Sequence, residues 1–350
     1  MYLIDIRLNR MRKRVFYLDF IRAISVMLII TYHFNVQIGL HNINTKYVMI
    51  QNFANENIGS IGITLFIMIS GMALMLNYKD NLDMELFIKK RITTLYPIYW
   101  IGYILTFIIL AIIIRGIPVS AEGWSFVFTI VGMDGFLYYI VPNFYLIGEW
   151  FFGFIIILYL IFPIARILLL KYPKRTLGIV IIVYIFLTSH YGRLFQIDVV
   201  RNPLIRLLDF MFGMSLAVYM KEIKSYQFLV GIIGLIILLG VPLNISHIYI
   251  AFLAGALVFI CLIYISKYIR LESVRKLISF ISKYSFAAIL THHNIIAQIL
   301  NRFNNTQISI QCTYLLYIVV LMITFLAAFC LFELTIKIKS MSNFSRNGIN

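Results

Sequence analysis

Phe16-Tyr-Leu-Asp19-Phe-Ile-Arg22-Ala-Ile-Ser-Val-Met-Leu-Ile-Ile-Thr-Tyr-His33 has the length and apolarity of a bilayer-crossing helix, yet it carries Asp19, Arg22 and His33. Arg22 and His33 are eleven residues apart. On a helix that is about three turns and roughly 16 Å of rise, so both side chains leave the same face at different depths. An Arg near the middle of a span costs about 2.5–3.5 kcal/mol on insertion scales, and such residues normally face a bundle interior or a cavity. Two readings stand side by side. Either the pair marks a functional face, or Arg22 pairs with Asp19 three residues back and His33 sits at an interface.

The rest of the chain repeats the pattern of that stretch. Of 350 residues, 62% are hydrophobic and only 13% are charged, against about a quarter charged in a soluble domain. Apolar runs predict an all-α polytopic membrane protein of about ten transmembrane helices, over 15–36, 58–77, 95–114, 150–169, 176–190, 205–220, 227–243, 247–265, 279–300 and 313–336. The segment 124–147 is aromatic but broken by Gly132-Met-Asp134-Gly and Pro142-Asn, so it is expected to be an outer-surface or re-entrant element. The formal charge of +16 is topological rather than a nucleic-acid surface. Lys79, Lys89, Lys90, Arg91, Arg166, Lys171, Lys174, Arg175, Lys221, Lys224, Lys267, Arg270, Arg275 and Lys276 fall in alternate loops, as the positive-inside rule requires. The other loops carry only scattered bases, Lys46, Arg115, Arg193, Arg201, Arg206 and Arg302. Both termini are therefore expected in the cytoplasm of a multi-pass cell-membrane protein. Residues 1–14 form a basic cytoplasmic N-terminus, 15–336 the transmembrane domain and 337–350 a cytoplasmic tail. The first run ends without a small-residue cleavage site and is read as an uncleaved signal anchor. Cys261, Cys312 and Cys330 show neither a disulfide framework nor zinc-ligand spacing, and no metal is expected.

Several further residues carry open alternatives. Gly59-Ser-Ile-Gly62 suits close helix contact. Lys89-Lys90-Arg91 before Tyr96-Pro97-Ile-Tyr99-Trp100 is either an interfacial anchor or a site for an anionic cofactor. Glu149, ahead of Trp150, would orient a histidine, bind a sugar hydroxyl or stand in interfacial water. Asp209 is either a functional acid or the i,i+3 partner of Arg206. His292 and His293 are neighbours diverging by about 100° on a helix, so at most one is expected to face a cavity. His41, His190 and His247 read as solvated, and Glu333 as structural. No symmetric pair of broken spans suggests an inverted-repeat transporter.

Taken in order, these pieces resemble the integral-membrane acyltransferase family 3 over about residues 15–336. The resemblance rests on Arg22-X10-His33 in its Leu-Asp-Phe-Ile-Arg-Ala context, Gly62-Ile-Thr-Leu-Phe66…Ser70-Gly71 and Arg91…Tyr96-Pro97-Ile-Tyr99-Trp100. It continues through Trp150…Tyr159…Phe162-Pro163 and Ser285-Phe286…His292. Two positions depart from the pattern of many members: Thr94 stands where a second Arg is common, and Ile155 where a Glu is common. The resemblance implies an O-acyltransferase moving an acyl group, usually acetyl, from cytoplasmic acyl-CoA, with no tightly bound cofactor, to a hydroxyl of a cell-surface or lipid-linked glycan. It implies His33 as general base, Arg22 at the CoA arm, Arg91 at the entrance and His292 as a second or alternative base. Glu149 and Trp150 are the residues expected nearest the acceptor. The competing expectation is a transporter or flippase of a lipid-linked saccharide. Oligomeric state is not legible.

Overall fold

Each of the ten apolar segments is a helix in the computed structural model, which describes residues 15–220, 222–241 and 245–347. The basic segment 1–14, Lys221, residues 242–244, which take in the end of the seventh expected span, and the last three residues lie outside the described residues. The helices are α1 (Phe16–Leu40), α2 (Ile58–Tyr78), α3 (Met84–Ile114), α4 (Trp150–Lys171), α5 (Pro173–Ser189), α6 (Pro203–Tyr219), α7 (Ser225–Gly240), α8 (His247–Ser266), α9 (Glu272–Leu300) and α10 (Ile310–Asn347). Their starts follow from local chemistry. Asn57, Asp83 and Asn202 accept hydrogen bonds from the amides of Ser60, Leu86 and Leu204 at 2.7, 3.0 and 3.0 Å, and Pro173 and Pro203 occupy first-turn positions. Pro97 and Pro163 lie inside α3 and α4, as membrane helices tolerate.

Three helices outrun their expected bounds by about two turns or more. α3 begins at Met84 and α9 at Glu272, and α10 continues through the expected tail as far as Asn347. The added turns are polar, so an apolar window ends before the backbone stops being helical. Among the described residues α1, α2, α3, α4, α8 and α10 are long and apolar enough to cross a membrane. α5, α6 and α7 have 17, 17 and 16 residues, and α9 is diluted by Glu272, Arg275, Lys276, Lys283 and its histidines.

The connections gather at two ends of the bundle. Asn44 is paired with the 305–308 turn, and Glu56 lies 3.2 Å from His247. Arg201 donates to the Tyr138 hydroxyl at 2.8 Å. At the opposite end Arg166 donates to the carbonyls of Tyr78 and Lys79, at 2.5 and 2.7 Å, and Lys267 meets Glu222 at 2.7 Å. Segment 124–147 forms only short helices, Phe126–Val131 and Asp134–Leu137. It lies along the middle of α3, where the hydroxyls of Tyr96, Tyr99 and Tyr103 donate to the carbonyls of Val131, Thr129 and Phe144 at 3.0, 2.9 and 2.8 Å. These three tyrosines share one helix face and satisfy carbonyls that an irregular segment cannot satisfy itself.

At the centre α2 packs against α1 and α6. A Cβ on Gly71 would strike the Phe210 carbonyl, one on Gly213 the Met68 carbonyl, and one on Gly62 would lie 2.9 Å from the Ser25 carbonyl. The small residues therefore do what their spacing suggests. Arg206 corrects an expectation. It is not a loop base: it lies 1% exposed in α6, its Nε 2.8 Å from Asp209 and its guanidinium donating to Thr64. The i,i+3 alternative holds because a buried guanidinium needs a charged and a hydrogen-bonding partner. His247 is likewise more than solvated, since its partner Glu56 is buried. Glu333 accepts from Lys283 at 3.0 Å and from the Tyr284 hydroxyl at 2.9 Å.

Replacing Gly71 or Gly213 by Leu is expected to destabilise the bundle by about 3 kcal/mol or more, because backbone opposes the new side chain. Gly178→Leu, whose Cβ meets nothing within 4 Å, serves as the control in thermal unfolding of detergent-solubilised protein. Equal unfolding temperatures for all three would refute the packing account.

Candidate functional site

A cavity of about 490 Å³ lies among α1, α2, α3, α4 and α9. Arg22, Arg91, Asp19, Ser282, Ser285 and Lys283 give it a polar wall, and Phe66, Phe151 and Phe286 an aromatic one. Asp19 and Arg22 are 3.6 Å apart, and the Ser282 hydroxyl donates to Asp19 at 2.7 Å while accepting from Arg22 at 3.2 Å. The two readings of Arg22 are thus not exclusive: it pairs with Asp19 and lines a cavity. Asp19 is buried and the Arg22 side chain is 27% exposed, so the guanidinium retains access to whatever enters. The Arg91 guanidinium sits 5.5 Å from the rings of Phe87 and Tyr159 and 6.0 Å from that of Tyr78. Cation–π contacts of this kind hold a guanidinium without neutralising it. Thr94 and Ile155 line the same cavity.

Three turns further along α1, His33 meets both α9 histidines. Ring centroids lie 5.1 Å from His292, 4.0 Å from His293, and 4.2 Å between the last two. The expectation that only one of the neighbours faces the site is therefore corrected. Divergence of about 100° separates two side chains on an isolated helix, but His33 of the adjoining helix fills the angle between them. His292 is fully buried, and its Nδ1 lies 2.8 Å from the Ile289 carbonyl and 3.1 Å from that of Ala288. Carbonyls only accept, so Nδ1 carries the proton and Nε2 keeps its lone pair. That Nε2 is buried and without a hydrogen-bond partner. The ligand-capable nitrogens of the three rings all lie within 4.8 Å of one another, a composition that can hold a cation. Spacing along the chain did not suggest it, because one ring comes from a helix more than 250 residues away.

Beside the trio a turn over 146–149 seats the start of α4. Gly148 has φ +73°, and a Cβ there would lie 2.7 Å from Cδ2 of His293, so the position needs glycine on both counts. Asn294 donates to the Leu146 carbonyl at 3.0 Å. Glu149 is buried, its oxygens accepting from the amides of Leu146 at 3.0 Å and Ile147 at 2.6 Å. Burial pushes its carboxyl up to about 7, against the pull of these amides. Its oxygens thus hold the turn. Trp150, 8% exposed, lies 5.3 Å from the Arg201 guanidinium.

Sequence reasoning counted Arg201 among scattered loop bases and left His293 out of the site. No local signal marks Arg201, whose neighbours in space come from segment 124–147 and the start of α4.

Among known families, the chain matches a family model described as an acyltransferase domain over residues 15–333. Comparisons with curated proteins and with solved structures return no match.

Glu149→Ala is expected to lower stability by about 2 kcal/mol or more, because two amides lose their acceptor in a buried turn. Thermal unfolding checks this. Wild-type stability combined with weakened acceptor use would move the carboxyl from the turn to the ligand.

Proposed function

Because the chain belongs to the acyltransferase 3 family of membrane proteins and is an acyltransferase, we propose that it transfers an acyl group, acetyl in the first instance, from acyl-CoA in the Arg22–Arg91 cavity to a glycan hydroxyl beside His33. The observation that carries this reading is the relation between two clusters on one helix. Arg22 and Arg91 share a cavity, and His33, eleven residues beyond Arg22, stands in a group of three imidazoles. A guanidinium pair suits phosphates of a CoA-type donor. An imidazole able to accept a proton suits an alcohol.

In this reading the chain crosses the cell membrane ten times with both termini in the cytoplasm. The basic loops support that orientation, since they fall at the bundle end that carries Arg22, Arg166 and Lys267. Acyl-CoA then enters from the cytoplasm and the acceptor from the opposite side. The long arm of the donor runs along α1 past Phe66, Phe151 and Phe286 toward His33, over roughly 16 Å.

His33 takes the proton of the acceptor hydroxyl as its oxygen attacks the thioester carbonyl. The tetrahedral intermediate collapses with formation of the ester C–O bond and cleavage of the C–S bond. The departing CoA thiolate recovers the proton from the His33 imidazolium. His292, with its proton fixed on Nδ1, offers a lone pair beside His33 and cannot compete as a donor. Proximity of hydroxyl and thioester supplies much of the acceleration, and the base a further 10²–10⁴-fold or so.

His33→Ala in stable, correctly inserted protein is expected to lower acyl transfer by about 100-fold or more, measured as CoA release by the purified chain. Undiminished turnover would remove His33 from the reaction. Arg22→Ala is expected to raise the KM for acyl-CoA with a smaller effect on kcat, and an unchanged KM would overturn its donor role. Dialysis against EDTA is expected to leave turnover intact. Loss of activity restored by a divalent ion would instead assign the three imidazoles to a cation.

A further inference from the structure

Arg201 occupies a setting that the acyl-transfer reading does not use. It ends the short helical turn Val199–Arg201 that leads into α6. Its guanidinium carbon lies 5.5 Å from the Tyr138 ring, 5.7 Å from Tyr139 and 5.3 Å from Trp150. Tyr138 is itself stacked on Tyr145 with ring centroids 5.3 Å apart and tilted against Tyr139 at 4.0 Å. Of the five guanidinium N–H groups, one donates to the Tyr138 hydroxyl at 2.8 Å. No carboxylate is paired with Arg201 among the described residues. Asp198, its nearest acidic neighbour in the chain, is turned to the Val200 amide at 2.9 Å.

This arrangement adjoins the histidines. Trp150, whose ring lies 5.3 Å from the Arg201 guanidinium, directly follows the turn whose Gly148 is pressed against His293. A half-buried cation beside a reacting centre, held by ring faces and retaining most of its donors, has the chemistry of an anion site. Guanidinium donors in a planar fork match a carboxylate or phosphate. Aromatic faces present large rigid surfaces to the apolar C–H face of a sugar ring.

We propose that Arg201, Tyr138, Tyr139 and Trp150 form the acceptor subsite, and that it selects an anionic sugar, holding the acidic group on Arg201 and the ring against the aromatic side chains. The proposal rests on the acyl-transfer reading for the word acceptor, but the binding it asserts needs no donor. The negative charge has two possible sources, a carboxylate on the sugar itself or a phosphate at its reducing end, and both satisfy the same guanidinium.

Isothermal titration calorimetry on the full chain in detergent, without acyl-CoA, tests it with three probes: methyl β-D-glucuronide, glucose 1-phosphate and methyl β-D-glucoside. At least one anionic probe is expected to bind tenfold or more tighter than the neutral glucoside, with the difference shrinking as salt is raised. Preference for the glucuronide identifies a carboxylated sugar, and preference for glucose 1-phosphate a phosphate-linked one. Arg201→Gln is expected to abolish the difference and leave the neutral probe unchanged, and Arg201→Lys to restore part of it. Equal binding of charged and neutral sugars by the unmodified chain overturns the proposal even where Arg201→Gln fails to fold. Retention of the preference by a folded Arg201→Gln overturns it too. Selective binding without any CoA release would instead count against the acyl-transfer reading and leave the anion subsite standing.

Discussion

The register between α1 and α9 is the constraint on which the site depends. At one end the Ser282 hydroxyl bridges Asp19 and Arg22, and at the other His33 lies against His292 and His293. The interval from Arg22 to His33 is eleven residues, and so is that from Ser282 to His293. Two helices running in the same direction with the same rise keep both contacts only without relative sliding. A slip of one turn, about 5.4 Å, would break the serine bridge and the imidazole group together. Between these polar ends α9 carries Ala287 and Ala288, both fully buried, small residues of the kind that let helix backbones approach. In lipid, where apolar surface gives little drive for helix association, polar bridges and small residues are what hold a register.

The second constraint is backbone satisfaction within an apolar surround. Segment 124–147 contributes short helices and turns, yet it reaches the middle of α3. It can do so because a ladder of tyrosines at 96, 99 and 103 reaches out to its carbonyls. Phe152 stacks on Tyr99 at 4.3 Å, and Gly132 and Gly135 abut Phe152 and the Trp150 backbone. The same element positions Tyr138, Tyr139 and the 146–149 turn beside the histidines. Irregular chain next to the three imidazoles is thus bought with side-chain donors from a regular helix.

Much of this was legible in the sequence because it is carried by periodicity and local spacing. The ten apolar segments are all helices, the Gly59–Gly62 contact follows from residue size, and Arg22 and His33 share a face through helix geometry alone. What escaped is what depends on two distant segments meeting. His293 looked redundant until His33 was seen to fill the angle between it and His292. Arg201 was indistinguishable from any loop cation, since the rings around it come from residues 138, 139 and 150. Glu149 looked available for a ligand because nothing in its neighbours' names reveals that the amides of Leu146 and Ile147 turn back onto it. Arg206 was misplaced for the opposite reason: a charge near a span boundary was counted as exposed, when Asp209 and Thr64 allow it to be buried.

The two departures from the family pattern acquire a physical meaning once the cavity is defined. Thr94 and Ile155, where many members carry Arg and Glu, line the cavity together with Arg22 and Arg91. Losing a cation alone would weaken the positive potential of the cavity. Losing a carboxylate alone would leave an unmatched positive charge in a half-apolar wall. Losing both keeps the balance of charge and removes two groups whose burial is costly unless they are paired. Cation–π contacts with Phe87, Tyr78 and Tyr159 and a hydrogen bond to the Tyr78 hydroxyl then hold Arg91 in place. The arginines of this cavity are therefore kept by different means, Arg22 by a carboxylate and the Ser282 hydroxyl, Arg91 by ring faces and a 3.4 Å hydrogen bond to the Tyr78 hydroxyl. Arg22 thus shares its charge with Asp19, whereas no carboxylate is paired with Arg91 among the described residues, and the wall between them keeps a positive character.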